Sequence, residues 1–356
     1  MSLKILHIYQ KFNFEPTGGI EQAIKQYSFS LYNFYKCKNT LLYLDSVSKT
    51  VKKKYLTAVS TKKITNIQSC SIPGIYFFKK FIELQKKHDV ILFHYPYPIQ
   101  DLILIFGLIN KPYFIYYHSD IIRQKKLLFF YKPFRFFFFK FAKKIITSSK
   151  NYLNSSIFLH KYRNKVIPIS LILNKELVSV KKFKIPFKYF LFIGQFRHYK
   201  NIENIIRTFK YLSKHKLIII GANRNQLSNY ELSSNISVID KVNDYEKYNY
   251  IQQCEALLLP SSNRAEAFGY ALLEGLFFKK PLISSNIKSG SSKINTHLKT
   301  GYVINKYPTD KEIIKAVNFL VKNKKLFKKT KNYSNQIKLF DPYLLTTELY
   351  NCLKKQ

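Results

Sequence analysis

The stretch VKKFKIPFKYFLFIGQF, residues 180–196, decides how the chain is read. Its first half is a lysine-rich connector broken by proline. Its second half is a short apolar run ending at Gly194, the pattern of a buried strand passing into a loop. Ahead of it KILHIYQ, TLLYLD, DVILFHY, PYFIYYHS and KIITSS read as strands, separated by helical stretches such as EQAIKQYSFSLYNF and YKPFRFFFFKFAKK, and KVIPIS closes the series. Behind it the alternation restarts with YFLFIGQF, LIIIGA, NISVID, EALLLPS and PLISSN. Such alternation marks parallel sheets with crossover helices. The restart therefore predicts two doubly wound, Rossmann-like α/β domains, residues 1–172 and 188–336, facing across a cleft. The tail 337–356 holds DPYLLTTELYNCLKK, a predicted helix with Pro342 in its first turn that packs back towards the first domain. Binding loops are expected where strands end.

Composition narrows the class. A chain of 356 residues, 46% of them hydrophobic, has apolar material for two cores. Cys37, Cys70, Cys254 and Cys352 lie far apart, without the paired spacing of a zinc site or a redox dithiol, and read as reduced thiols. The N-terminal MSLKILHIYQKF is too short in apolar residues for a signal peptide, so a cytoplasmic location is expected. The most apolar stretch, LLFFYKPFRFFFFKFAKK, carries a charge every few positions and is read as lying on a bilayer, not crossing it.

The formal charge of +40 raises the possibility of nucleic-acid binding. Only seven of the 60 basic residues are arginine, and Asn, Ile, Tyr and Phe are abundant, as an AT-rich coding sequence would give. Drift explains the local arrangement less well: Ile121 to Lys175 contains 13 lysines and arginines, interleaved with phenylalanine and tyrosine, and no acidic residue. That pattern fits an anionic membrane surface better than nucleic acid, and a peripheral position on the inner face of the membrane is expected.

The chemistry concentrates in RAEAFGYALLEG, residues 264–275. Phe268 and Gly269 open a predicted helix, so their N–H groups and the helix dipole suit a diphosphate. Glu274, roughly one and a half turns on, suits vicinal ribose hydroxyls, and Glu266 faces the sugar. An isolated pair of glutamates on a helix is more often merely solvated; Phe-Gly between them and Pro260 before them argue otherwise.

This segment, continued by FKKPLISSN, resembles the glutamate-x7-glutamate signature of family 4 retaining glycosyltransferases, and the similarity extends over most of the chain. The resemblance implies the GT-B architecture, with Glu266 on the donor sugar, Phe268 and Gly269 on the diphosphate and Glu274 on the ribose. Arg264 is a possible further contact. In GQFRHYKN, residues 194–201, Arg197 and Lys200 are placed to neutralise a leaving diphosphate. Gln195 stands at the family's usual arginine position and Asn201 at its usual glycine, so the assignment leans on Arg197 and Lys200. The loop EPTGGIEQA resembles the family's Gly-Gly-x-Glu loop and gives Gly18 and Gly19 a donor-facing role. In YYHSDIIRQK, His118 matches a histidine that contacts the donor sugar near the reaction centre, with Asp120 and Arg123 as possible site residues.

SGSSKIN (289–295) and THLKTGYVI (296–304) resemble mannosyltransferase-like members that build surface polysaccharides, with Ser289 for a glycine and Lys293 for a tyrosine. IPISLI (167–172) carries Ser170 where the family has glycine. The resemblance implies transfer of a hexose, mannose first, from a GDP- or UDP-sugar to a lipid-linked or polysaccharide acceptor in lipopolysaccharide, O-antigen or capsule synthesis. Front-side displacement is expected, since no paired-carboxylate nucleophile is seen. Neither cofactor nor metal is expected. Two rivals are a nicotinamide-dependent dehydrogenase, which lacks its Gly-x-Gly-x-x-Gly fingerprint here, and a non-catalytic basic protein that binds membrane or nucleic acid. The latter needs neither the glutamates nor Arg197 and Lys200.

Overall fold

The computed structural model describes residues 2–355 other than 16, 17, 68, 69, 98, 122–124, 181 and 182. The chain divides into two units, Met1–Ile172 with Pro342–Gln356, and Leu173–Asp341.

In the first unit the strands are β1 (Lys4–Ile8), β2 (Lys38–Asp45), β3 (Thr50–Lys53), β4 (Leu56–Ile67), β5 (Cys70–Pro73), β6 (Val90–Tyr95), β7 (Tyr113–Tyr117), β8 (Ile145–Thr147) and β9 (Val166–Pro168). They lie in the order β3-β4-β2-β1-β6-β7-β8-β9, with β5 on β4. Only β3 and β5 run antiparallel to their neighbour. Every residue of β6 and β7 is buried, which is why these strands read as unbroken apolar runs and not as alternation. The excursion β3 to β5 adds to the strands read from sequence: TVKK is nearly all exposed, and β4 is buried only over its first half. Lysines and threonines therefore dilute the period-2 signal there.

The helix Gly19–Tyr35 follows β1, and the C-terminal helix Pro342–Lys354 packs on it. Tyr35 stacks on Tyr350 at 4.0 Å and bonds Thr347 at 2.6 Å through its hydroxyl. Residues 337–341 stay with the second unit, as do residues 173–187 of the connector.

The second unit holds β10 (Tyr189–Ile193), β11 (Lys216–Ile220), β12 (Ile236–Ile239), β13 (Ala256–Leu259), β14 (Leu282–Ser285) and β15 (Gly301–Ile304), all parallel, in the order β12-β11-β10-β13-β14-β15. This is a Rossmann order whose direction reverses between β10 and β13, and the loops after those two strands flank the place where such sheets bind ligands. The edge strand β15 is short and half-buried, which hid it among the polar residues around it.

The four cysteines are free thiols. Among the described residues no helix is long and apolar enough to cross a membrane.

Candidate active site

The two loops at the reversal in the second sheet are tied to each other. Asn201, in a left-handed conformation (φ 55°), donates from Nδ2 to the Pro260 carbonyl at 2.8 Å, and the Ser262 N–H donates to the Tyr199 carbonyl at 2.7 Å. The loop after β10 is thereby held against the loop after β13. Lys200, at the end of a short 3-10 turn His198–Lys200, runs past Gly194, where a β-carbon would lie 2.5 Å from its Nζ. Its ammonium stands 3.5 Å from Glu266 Oε2, and both side chains are largely buried. Among the described residues Glu266 Oε2 has no hydrogen-bond donor besides this ion-pair contact. A buried carboxylate oxygen with unused accepting capacity is unfavourable unless something completes it.

Four residues on, the helix Tyr270–Phe277 begins. Gly269 caps it at φ 87°, and a β-carbon there would meet Leu259 at 3.2 Å as well as strain the backbone. The Phe268 ring is buried against Tyr270 and Phe340, which fixes the turn from inside. The Gly290 N–H donates to the Ala267 carbonyl at 2.8 Å, so the SGSSKIN segment braces the same turn. Arg264 is half-buried within it.

Glu274 is 3% exposed and faces a partner the sequence reading did not identify: Lys247 Nζ lies 2.8 Å from its Oε1 and 2.9 Å from Asp244. Burial alone would lower the Lys247 pKa; the Glu274 carboxylate leads the charges that raise it on balance. Lys247 sits on the helix Asp244–Gln253 in a lysine-rich chain, and nothing in its spacing marks it. Arg197 is not gathered into either pair. It is exposed and donates to Gln195 Oε1 at 3.3 Å.

In the first unit, Gly18 caps the helix Gly19–Tyr35, its carbonyl accepting from the Gln22 N–H at 3.0 Å. Glu21 in that first turn is paired with Lys11 at 3.2 Å. His118 stands just beyond β7, its ring stacked on Tyr116 at 4.5 Å and its Nε2 2.9 Å from His94 Nδ1. Burial pushes the His118 pKa from 6.5 to about 3, so the ring is neutral at pH 7. Asp120 accepts from the hydroxyls of Tyr117 at 2.6 Å and Ser156 at 3.0 Å, and the Tyr152 hydroxyl takes its N–H at 2.7 Å, an anchoring arrangement for the loop after β7. Arg123 lies outside the described residues. Among the described residues no cluster of three or more His, Cys, Asp or Glu is arranged to hold a metal ion.

Comparison with known proteins gives the chain's family and fold. The model of the family described as "Glycosyl transferases group 1" matches residues 175–338. Over 316 residues the chain is 33% identical to the D-rhamnosyltransferase WbpZ of Pseudomonas aeruginosa, covering 85% of this chain and 82% of that one. Over 346 residues it is 30% identical to the O-antigen chain mannosyltransferase C of Escherichia coli, covering 90% and 89%. Its fold is similar to that of sucrose-phosphate synthase from Thermosynechococcus elongatus (TM-score 0.77, 14% identity, 98% of each chain). It is also similar to Anabaena HepE in complex with UDP and glucose (TM-score 0.76, 13% identity, 99% and 100% of the chains). The fold is GT-B, and the extent of identity along the first of these relatives shows that the chain belongs to the group 1 glycosyl transferases.

Proposed function

We propose that this chain is a retaining, family 4 hexosyltransferase that moves a sugar, mannose first among the candidates, from a GDP- or UDP-sugar to a lipid-linked or polysaccharide acceptor of O-antigen or a related bacterial surface polysaccharide. The observation that carries this reading is the buried Lys200–Glu266 pair at the reversal of the second sheet, next to the helix start at Phe268 and Gly269. The names of the two relatives, a rhamnosyltransferase and an O-antigen mannosyltransferase, support the pathway and the hexose. HepE with UDP and glucose supports a nucleotide-sugar donor.

In this reading the acceptor oxygen bonds the anomeric carbon while the bond from that carbon to the diphosphate oxygen breaks on the same face. The acceptor's proton passes to a leaving phosphate oxygen. Lys200, Arg197 and the N–H groups at Phe268 and Gly269 hold the charge that develops, stabilising the transition state more than the ground state. Glu266 accepts from sugar hydroxyls and uses the capacity that Lys200 alone leaves unfilled. Glu274 accepts from the ribose, with Lys247 pairing with it and orienting it. Side-chain cations fill the role a divalent ion would take, so transfer is expected to survive chelation.

We further infer that the chain lies on the inner face of the membrane through the helix Lys125–Phe141. Phe134, Phe136, Phe137 and Phe141 are exposed on it, beside the exposed Lys132 and Lys140, while Phe138 and Phe139 are buried. Exposed aromatic and cationic side chains on one helix suit an anionic lipid surface. Sedimentation with anionic vesicles should carry the protein down, and Phe137→Asp with Phe141→Asp should leave it in solution.

The donor reading is tested by thermal shift with UDP-, GDP-, ADP- and dTDP-sugars in chelator. One nucleotide class, at ~100 times its dissociation constant, should add ~2.7 kcal/mol of apparent stability, and Glu274→Gln should diminish the shift. A folded protein that no nucleotide sugar shifts, but that anionic vesicles or nucleic acid do, would be a basic binding protein instead.

A further inference from the structure

His7 on β1, His94 on β6 and His118 just past β7 stand on three neighbouring strands, and their rings form a hydrogen-bonded line. His7 Nδ1 is 3.1 Å from His94 Nε2, and His94 Nδ1 is 2.9 Å from His118 Nε2, with successive ring planes within 16°. The far end of the line is Asn39 on β2, whose Oδ1 lies 3.3 Å from His7 Nε2. The orientation of the Asn39 amide is settled by its other end: Nδ2 donates to the Ser28 and Tyr55 carbonyls, both at 3.1 Å. Two carbonyls take only donors, so Oδ1 is the atom that meets His7.

From there each tautomer follows. An amide oxygen accepts, so His7 Nε2 carries the hydrogen and donates to it. A neutral imidazole has one donor and one acceptor, so His7 Nδ1 accepts from His94 Nε2–H. His94 Nδ1 then accepts from His118 Nε2–H, and His118 Nδ1 is left bare. Neutrality is secured by burial, which pushes His7 to about 4, His118 to about 3, and His94 well below its ordinary value. Exposure rises along the line, from 0% at His7 to 2% at His94 and 6% at His118, so the open end is His118. Among the described residues nothing donates to its Nδ1. The closed end is an amide and not a carboxylate, so it has no place for a transferred proton. The line fixes a hydrogen-bond direction; it does not conduct.

We propose that Asn39, His7 and His94 are positioning residues that lock His118 with Nδ1 as a hydrogen-bond acceptor, so that it takes a hydroxyl donor from the sugar being transferred. The choice of a sugar hydroxyl rests on the transferase reading; the lock itself does not.

The test is nitrogen-detected NMR of the full chain labelled in its histidine rings. The wild type should show His118 in one tautomer, Nε2 protonated and Nδ1 bare, without averaging. His7→Phe keeps an aromatic ring but removes the link to Asn39, and His118 should begin to exchange between tautomers while the donor KM rises by up to about tenfold. His7→Gln carries one acceptor and one donor at its tip, as His7 does, and should restore both. A proton on His118 Nδ1, or averaged ring signals, in the wild type overturns the proposal whatever the variants do. If the ring spectra are as expected but no nucleotide sugar binds, the lock stands and the transferase reading is what fails.

Discussion

The strand ends of the two sheets carry opposite chemistry. At the reversal in the second sheet, and on the helix that follows, the buried polar side chains are ions: Lys200 with Glu266, and Lys247 with Glu274 and Asp244. In the first sheet the buried line across the ends of β1, β6 and β7 is uncharged, three neutral imidazoles closed by an amide, and the buried Glu21, on the helix after β1, lies off that line, paired with Lys11. Buried ions are unfavourable unless paired, and each pair fixes a charge that a charged ligand will meet. Neutral groups cost less to bury and offer direction instead of charge. On the proposed function, the charged strand ends serve a nucleoside diphosphate and the neutral ones serve hydroxyls of the sugar.

The largest expected effect separates the two by acid. The imidazoles are held neutral in the folded state with depressed pKa values, about 4 for His7 and about 3 for His118, against 6.5 when unfolded. Between those values the unfolded chain binds more protons than the folded one, so stability is fully present above pH 6.5 and falls as pH drops towards 4. Each such histidine contributes on the order of 3 kcal/mol to that loss. Hydrogen exchange followed from pH 7 to pH 4 should show the first unit opening first, and His7→Phe should flatten its pH dependence. Opening of the second unit first would break the comparison.

Next is Glu274→Ala. It leaves Lys247 buried with Asp244 as its remaining carboxylate and the Tyr248 ring beneath it, and the cost should be about 3 kcal/mol in urea unfolding, the low end for a broken buried pair because one carboxylate survives. Glu274→Gln retains hydrogen-bonding capacity and should lose less stability while still weakening donor binding. Should the alanine variant prove as stable as the wild type, Lys247 has another way to be satisfied, and the second unit depends less on its ion pairs than the geometry indicates.

Lys200→Ala addresses chemistry more than folding. It removes the cation nearest Glu266, and on the proposed mechanism kcat/KM should fall by about 10²–10³, the scale of losing one preorganised group that stabilises developing charge. Lys200→Arg should recover only part, because a planar guanidinium does not replace a point charge threaded past Gly194.

Much of the fold was legible because most strands are buried on both faces and so write long apolar runs, as β6, β7 and β10 do. The excursion β3 to β5 was not legible, since its side chains are largely solvated and lysine-rich, as is most of the surface. At the site, Glu266 and Glu274 stood out by spacing within one helix start. Lys247, His7, His94 and Asn39 did not, because Lys247 is 27 residues from Glu274 and the histidine line joins residues 24 to 87 apart, so only the tertiary fold brings them together. Short-range pattern reports the residues that a loop presents; the groups that hold those residues in place arrive from other strands and leave no local mark.

The smallest expected effect concerns Arg197, which the sequence paired with Lys200 and which stands outside the Lys200–Glu266 ion pair. Its side chain is exposed, not buried, and donates to the Gln195 amide oxygen. Arg197→Ala should leave stability within about 0.5 kcal/mol. An exposed cation that a ligand must first gather works through a screened charge and loses side-chain entropy on binding, so kcat/KM should drop by less than about tenfold, and by less still in high salt. Measured beside Lys200→Ala, the ratio of the two losses reports how far the second unit's electrostatics are built in before the donor arrives. Equal losses would mean that Arg197 closes onto the diphosphate and that charge is assembled on binding, and the contrast between a preformed charged sheet and a preformed neutral one would then hold for the first unit alone.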